Sequence, residues 1–140
     1  MKKILAALIM LALLLLNLPK SPEMIVDNEG AAVTFHFDRE VAGAEFKGST
    51  YRLEGGNGGF AGLVGTEVSF NGDLSDVDAL LARLSAVRLV HEEVDGAVVY
   101  TGYSALLKGG IRAKGRIVNF QIAFAAGVVT VGSPLIFGSY

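Results

Sequence analysis

His36 is the residue whose type and setting most invite acid–base or metal chemistry. Alternate residues of an extended segment share a face, so His36, Asp38 and Glu40 line one side of the stretch that begins at Ala31. An imidazole beside carboxylates can orient a general base or hold a metal ion. The other histidine, His91, runs directly into Glu92 and Glu93. No activated nucleophile and no third ligand accompany either group. A catalytic site is therefore not expected, and the residues imply no cofactor or metal. A degenerate or accessory hydrolase using His36 and Asp38 is the alternative; the plainer description is a solvated polar strand face.

Gly56-x-Gly58-x-x-Ala61 imitates a dinucleotide fingerprint, but that motif needs a buried strand before it and a helix opening within it. Gly62 and Gly65 follow instead, so a hairpin tip is the expectation. The most charged segment runs from Lys108 to Arg116, with Lys108, Arg112, Lys114 and Arg116 and no acid among them. Such a segment can touch lipid headgroups or an anionic polymer, each contact being screened by salt; it also reads as a solvated connection before a strand. Tyr100, Tyr103, Phe120, Phe124 and Phe137 offer an aromatic face if one side of the sheet is open. Asn119 and Gln121 point away from the phenylalanines and are the candidates for polar recognition on the opposite side. The candidate binding surface is thus Lys108, Arg112, Lys114, Arg116, Asn119 and Gln121.

The elements that must position these residues follow from periodicity. Met24 to Val26 and Ala31 to Phe37 flank the turn formers Asp27, Asn28, Glu29 and Gly30 and predict a hairpin. A strand is predicted over Thr50–Glu54 before a Gly55–Gly59 tip, and Thr66–Phe70 alternates with Val68 and Phe70 inward and Glu67 and Ser69 outward. Val77, Leu80, Leu81 and Leu84 recur at helical spacing, predicting a helix from Ser75 to Val87 with Ser75 and Asp78 as its capping box. Leu89–Val94 and Ala97–Tyr103 flank Asp95-Gly96, a pair favoured in two-residue hairpin turns. Ile117–Ala125 and Val128–Gly132 pair through Ala126-Gly127. Strands, one helix and then a meander indicate an α+β fold, with an antiparallel sheet covered on one face by the helix.

The chain begins Met1-Lys2-Lys3 and continues from Ile4 to Leu16 without a polar residue. A basic head and an apolar run of this kind read as an export signal. No small-x-small cleavage site follows in Asn17–Pro22, and the absence of cysteine excludes lipid attachment through that residue. An uncleaved anchor contacting the membrane through residues 4–18 is the leading expectation, although about 20 apolar residues is the usual spanning length. Residues 1–20 are then a signal peptide or anchor and 21–140 a single α+β domain of about 120 residues, enough for one core. Without Lys2, Lys3 and Lys20 the balance is 9 basic against 14 acidic residues. That argues against nucleic-acid binding, which needs a positive field to recruit phosphates. Eighteen glycines against three prolines suit a β-rich chain with tight turns.

Tyr100–Ser104 (YTGYS), Val118–Ala123 (VNFQIA), Val129–Ile136 (VTVGSPLI) and the terminal Tyr140 carry a further signal. They resemble the closing segment of the YwmB family, exported proteins of spore-forming Gram-positive bacteria. The likeness extends loosely back to the helix at Ser75 and covers about half of the chain. It implies a fold similar to the TATA-box-binding protein, with helices behind a curved antiparallel sheet, and implies no enzymatic activity. This chain is shorter than typical members, and its Gly-rich middle has no counterpart in them. The combined expectation is a non-enzymatic binding or interaction module of the cell envelope, exported or anchored on the extracytoplasmic side. Its expected partner is an envelope protein or an anionic wall polymer, and the resemblance adds a link to sporulation.

Overall fold

The computed structural model describes residues 2–16, 26, 30–40, 42–47, 50–55 and 62–136. In chain order these form α1 (Lys2–Leu16), β1 (Ala32–Phe37), β2 (Glu45–Lys47), β3 (Thr50–Glu54), β4 (Leu63–Asn71), α2 (Leu74–Arg83), β5 (Val87–Val94), β6 (Ala97–Tyr103), β7 (Ile111–Ala113), β8 (Arg116–Val118), β9 (Phe120–Ala125) and β10 (Val128–Ser133). Eight strands make one antiparallel sheet in the order β2-β3-β1-β4-β10-β9-β6-β5, and β7 and β8 pair separately as a hairpin. The fold is α+β, as composition and periodicity predicted. The predicted strand at 24–26 and the Gly55–Gly59 tip fall outside the described residues except for Val26 and Gly55. Val26 is buried without regular structure.

Helix α2 covers one face of the sheet because its apolar stripe has nowhere drier to go. Val77, Leu80 and Leu84 pack onto Val68 and Phe70 of β4, Phe120 and Ile122 of β9, and Val129 and Val131 of β10. Burying each such side chain stabilises the fold by about 1.5–3 kcal/mol. The helix begins earlier and ends sooner than its periodicity suggested. Asp73, not Ser75, is the N-cap: its carboxylate accepts from the backbone N–H of Ser75 (2.8 Å) and Asp76 (3.2 Å), while Asp76 accepts from the Asp73 N–H (2.8 Å). At the other end Ser85 takes a φ of 48°. A left-handed residue stops the helical ladder, and the N–H of Ala86 donates back to the Leu81 carbonyl.

Asp95-Gly96 and Ala126-Gly127 form two-residue turns with both residues at positive φ (49° and 82°; 49° and 75°). A third turn of the same kind, Lys114-Gly115 (48° and 77°), folds β7 onto β8 where sequence reasoning read only a connection. The predicted strand Ile117–Ala125 is interrupted at Asn119, which separates β8 from β9. Four strands from each half of the chain meet at the β4–β10 pair, where Asn71 lies opposite Val128 and Thr66 opposite Ser133.

The second face is buried over much of its area, contrary to the outward assignment of Glu67. His36, Glu67, Ala97, Val99, Ala123 and Gly132 all lie there and are buried. After β10 the chain turns at Ser133-Pro134 and residues 134–136 fold back across this face. Gly132 permits the crossing, because a Cβ there would collide with the Leu135 carbonyl. Ile136 packs on Ala97, Val99 and Ala123, and its N–H donates to Gln121 Oε1 at 3.2 Å.

Candidate functional site

Both chemically interesting groupings lie on the second face, one on each half of the sheet. In the first half the register places His36 opposite Arg52 of β3 and Gly65 of β4, and Glu67 opposite Thr34. His36 Nδ1 shares a hydrogen bond of 3.0 Å with Thr50 Oγ1, and its Nε2 stands 3.3 Å from Glu67 Oε1. Arg52 Nη2 approaches the other carboxylate oxygen at 3.8 Å. A hydrogen on Nε2 avoids setting a lone pair against the carboxylate, which leaves Nδ1 to accept from the Thr50 hydroxyl.

Hydroxyl, imidazole and carboxylate in series resemble the arrangement that activates acyl-transfer nucleophiles. Here His36 is 0% exposed, Glu67 6% and Thr50 7%. A reacting carbonyl must reach the hydroxyl, and neither cleft described below is lined by Thr50, His36 or Glu67. The cluster is an enclosed polar core, held by the Thr50–His36 hydrogen bond and the close approaches of His36 and Arg52 to the Glu67 carboxylate. Asp38, the partner assigned to His36 by strand alternation, is turned into solvent beyond the end of β1. Its carboxylate accepts from Arg39 Nε at 2.9 Å, and that hydrogen bond holds it below its ordinary pKa. Sequence reasoning missed Thr50, Arg52 and Glu67 because they meet His36 only through the β3–β1–β4 register. Among the described residues no group of three or more His, Cys, Asp or Glu is placed to hold a metal ion.

The second half carries an open site. The β7–β8 hairpin stands over the second face of β5, β6 and β9 and encloses a cleft of about 390 Å³, lined by Val90, Glu92, Thr101, Ala113, Lys114, Arg116, Val118, Gln121 and Leu135. Cross-strand pairing sets Ala113 opposite Arg116 and Ile111 opposite Val118, so these four share the inner side of the hairpin. Arg112 and Ile117 take the outer side. At the tip Lys114 Nζ donates to Glu92 Oε1 across 2.7 Å. On the floor Gln121 Nε2 donates to Thr101 Oγ1 at 3.2 Å.

Of the six candidate binding residues, the structure gathers Lys114, Arg116 and Gln121 at this cleft. Arg112 is exposed on the far side of the hairpin, and Lys108 lines a separate cleft of about 350 Å³ with Leu63, Gly65, Ile111 and Pro134. Asn119 is not at the surface at all. It is 0% exposed and acts as an internal splice: Oδ1 accepts from the Ser104 N–H (2.8 Å), and Nδ2 donates to the carbonyls of Ser104 (2.7 Å) and Leu107 (3.2 Å). The Ser104 hydroxyl in turn donates to the Leu84 carbonyl, tying the loop to the end of α2. The aromatic residues divide similarly: Phe120 is core, Tyr100 and Phe124 pack against it, and Phe137 and Tyr140 lie outside the described residues.

Helix α1 contrasts with these packed elements. Ile4, Leu5, Leu8, Ile9, Met10 and Leu11 are all exposed, and they point in every direction around the helix. Among the described residues no helix is long and apolar enough to cross a membrane. No family model matches this chain, and no curated protein or solved structure matches it.

Proposed function

We propose that this protein is a non-enzymatic binding module that works on the extracytoplasmic side of the cell envelope. The observation that carries the proposal is the cleft under the β7–β8 hairpin, a ligand-sized space lined by Lys114 and Arg116 of the hairpin and by Gln121 of the sheet floor. The ligand-binding half is accessible, whereas the imidazole–carboxylate cluster is enclosed, and that contrast favours recognition over hydrolysis. Support for export comes from the basic start of the chain and from the unpacked apolar surface of α1. We read residues 1–20 as the signal or tether and 21–140 as the working domain. Relationship to the YwmB family, a TATA-binding-protein-like arrangement of the sheet and a sporulation role belong to the same proposal, resting on the C-terminal motifs. A wall polymer or envelope protein is the partner class.

Fractionation of producing cells with intact-mass measurement tests this placement. Full-length protein in the membrane or a shortened form outside is expected. Full-length protein confined to the cytoplasmic soluble fraction would overturn it and reopen nucleic-acid binding.

A further inference from the structure

The lining of the hairpin cleft is specific enough to name the chemistry of its ligand, on the basis that the cleft is the binding site. Its charges do not balance. Lys114 and Glu92 neutralise each other across the mouth, while Arg116 enters no ion pair among the described residues. Arg116 is exposed and leaves one uncompensated positive charge at the rim of the cleft it lines. The hydrogen-bonding groups are also unbalanced, in the same direction. Gln121 spends its carbonyl oxygen on Ile136 and one N–H on Thr101, leaving its second N–H. Thr101 accepts from Gln121, so its hydroxyl hydrogen is left to donate. The Arg116 guanidinium contributes donors only. With the Glu92 carboxylate engaged by Lys114 at the mouth, Arg116, Thr101 and Gln121 are left to offer a ligand chiefly donors around one cation.

The rest of the lining is apolar: Val90, Ala113, Val118 and Leu135. A free dianion would leave these side chains against water and carry more charge than one arginine neutralises. A neutral lipid chain would leave the guanidinium without an acceptor. We infer that the cleft takes a small carboxylate borne on an apolar stem, its head on Arg116 with Thr101 and Gln121, its stem along Val90, Val118 and Leu135. The planar guanidinium matches a carboxylate in a two-point hydrogen-bonded pair, which a compact ammonium does not. The volume, at the small end of ligand sites, suits a short-chain acid. The Lys114–Glu92 pair is exposed on both sides and so contributes little to closure, which lets the hairpin tip part to admit the stem.

Titration calorimetry on the full chain in a nonionic maltoside detergent tests this, using hexanoate, 1-hexanol, hexylamine and inorganic phosphate as probes. Hexanoate is expected to bind at least tenfold more tightly than each of the other three. Arg116→Gln should weaken hexanoate tenfold or more, while Arg112→Gln on the outer side of the hairpin should change it less than twofold. Equal losses in both variants would assign the effect to a diffuse basic patch and overturn the inference. Preference for hexylamine or phosphate would overturn the ligand chemistry while leaving a binding cleft in place. Binding by no probe would overturn the ligand assignment, and the cell-fractionation result decides the broader proposal separately.

Discussion

At the scale of single residues, burial converts two apparent functional groups into structural ones. Glu67 lies between His36 and Arg52 with almost no solvent contact. Removing one partner of a buried charged cluster costs about 3–5 kcal/mol, whereas replacing partners together by apolar groups of similar volume is often far less harmful. Glu67→Leu is expected to lower unfolding free energy by about 3 kcal/mol, and His36→Leu combined with Glu67→Leu to recover more than half of that loss. Urea unfolding of the two single variants and the pair gives the coupling directly; purely additive losses would mean the two side chains do not act together. Neither role was legible beforehand. A Glu in a Val-Ser-Phe alternation reads as outward, and only the pairing of Thr34 with Glu67 and His36 with Arg52 reveals that the outward face is itself enclosed. Asn119 misled in the same way, since strand alternation cannot show that a carboxamide is answering the backbone groups of a neighbouring loop.

At the scale of elements, local signals were informative wherever a turn or a cap dictates them. The Asp95-Gly96 and Ala126-Gly127 turns and the apolar stripe of α2 were legible because each depends on a few adjacent residues. The ends of α2 were less so, because Asp73 and Ser75 both precede the stripe and only backbone geometry chooses between them. Ser85 sits at a φ of 48°, where a side chain costs about 1–2 kcal/mol relative to glycine. Ser85→Gly is accordingly expected to stabilise the protein by about 1 kcal/mol, read as a higher urea midpoint at constant slope; a lower midpoint would show that the hydroxyl matters more than the backbone.

The cap also makes a pH-dependent contribution. The Ser75 hydroxyl bond, followed by the N–H groups of Asp76 and Ser75, holds the Asp73 carboxyl below its ordinary pKa. A depressed folded pKa adds stability above the unfolded value, about 3.9, and that increment disappears as pH falls through the folded value. The melting temperature of the wild type should exceed that of Asp73→Asn at pH 6, with the gap closing from about pH 4 downward. A gap independent of pH would remove the carboxylate from the cap. The open sheet is protected at its ends by similar local devices. Edge strand β2 has three residues, and edge strand β5 is bulged at Arg88 (φ 55°) and carries Glu92 and Glu93, features that discourage edge-to-edge pairing.

At the scale of the whole molecule, one sheet separates two jobs. Its helix face is a continuous apolar core. Its second face is polar and closed over β1, β3 and β4, then opens into a cleft beneath the hairpin over β5, β6 and β9. The two regions are joined along one row of the sheet, Glu67 opposite Gly132 and Gly132 opposite Gln121, with the C-terminal segment crossing at the bare glycine. The class of fold was readable from strand and helix periodicity, but this division was not, because it depends on β4 pairing with β10 across more than fifty residues of chain. The measurement that tests the division most directly is an amide chemical-shift map of the full-length protein titrated with hexanoate. Shifts concentrated at Val90, Thr101, Arg116 and Gln121, with His36, Thr50 and Glu67 unmoved, are the expected result. Shifts centred on His36 and Glu67 would contradict it and return the buried cluster to the role of functional site.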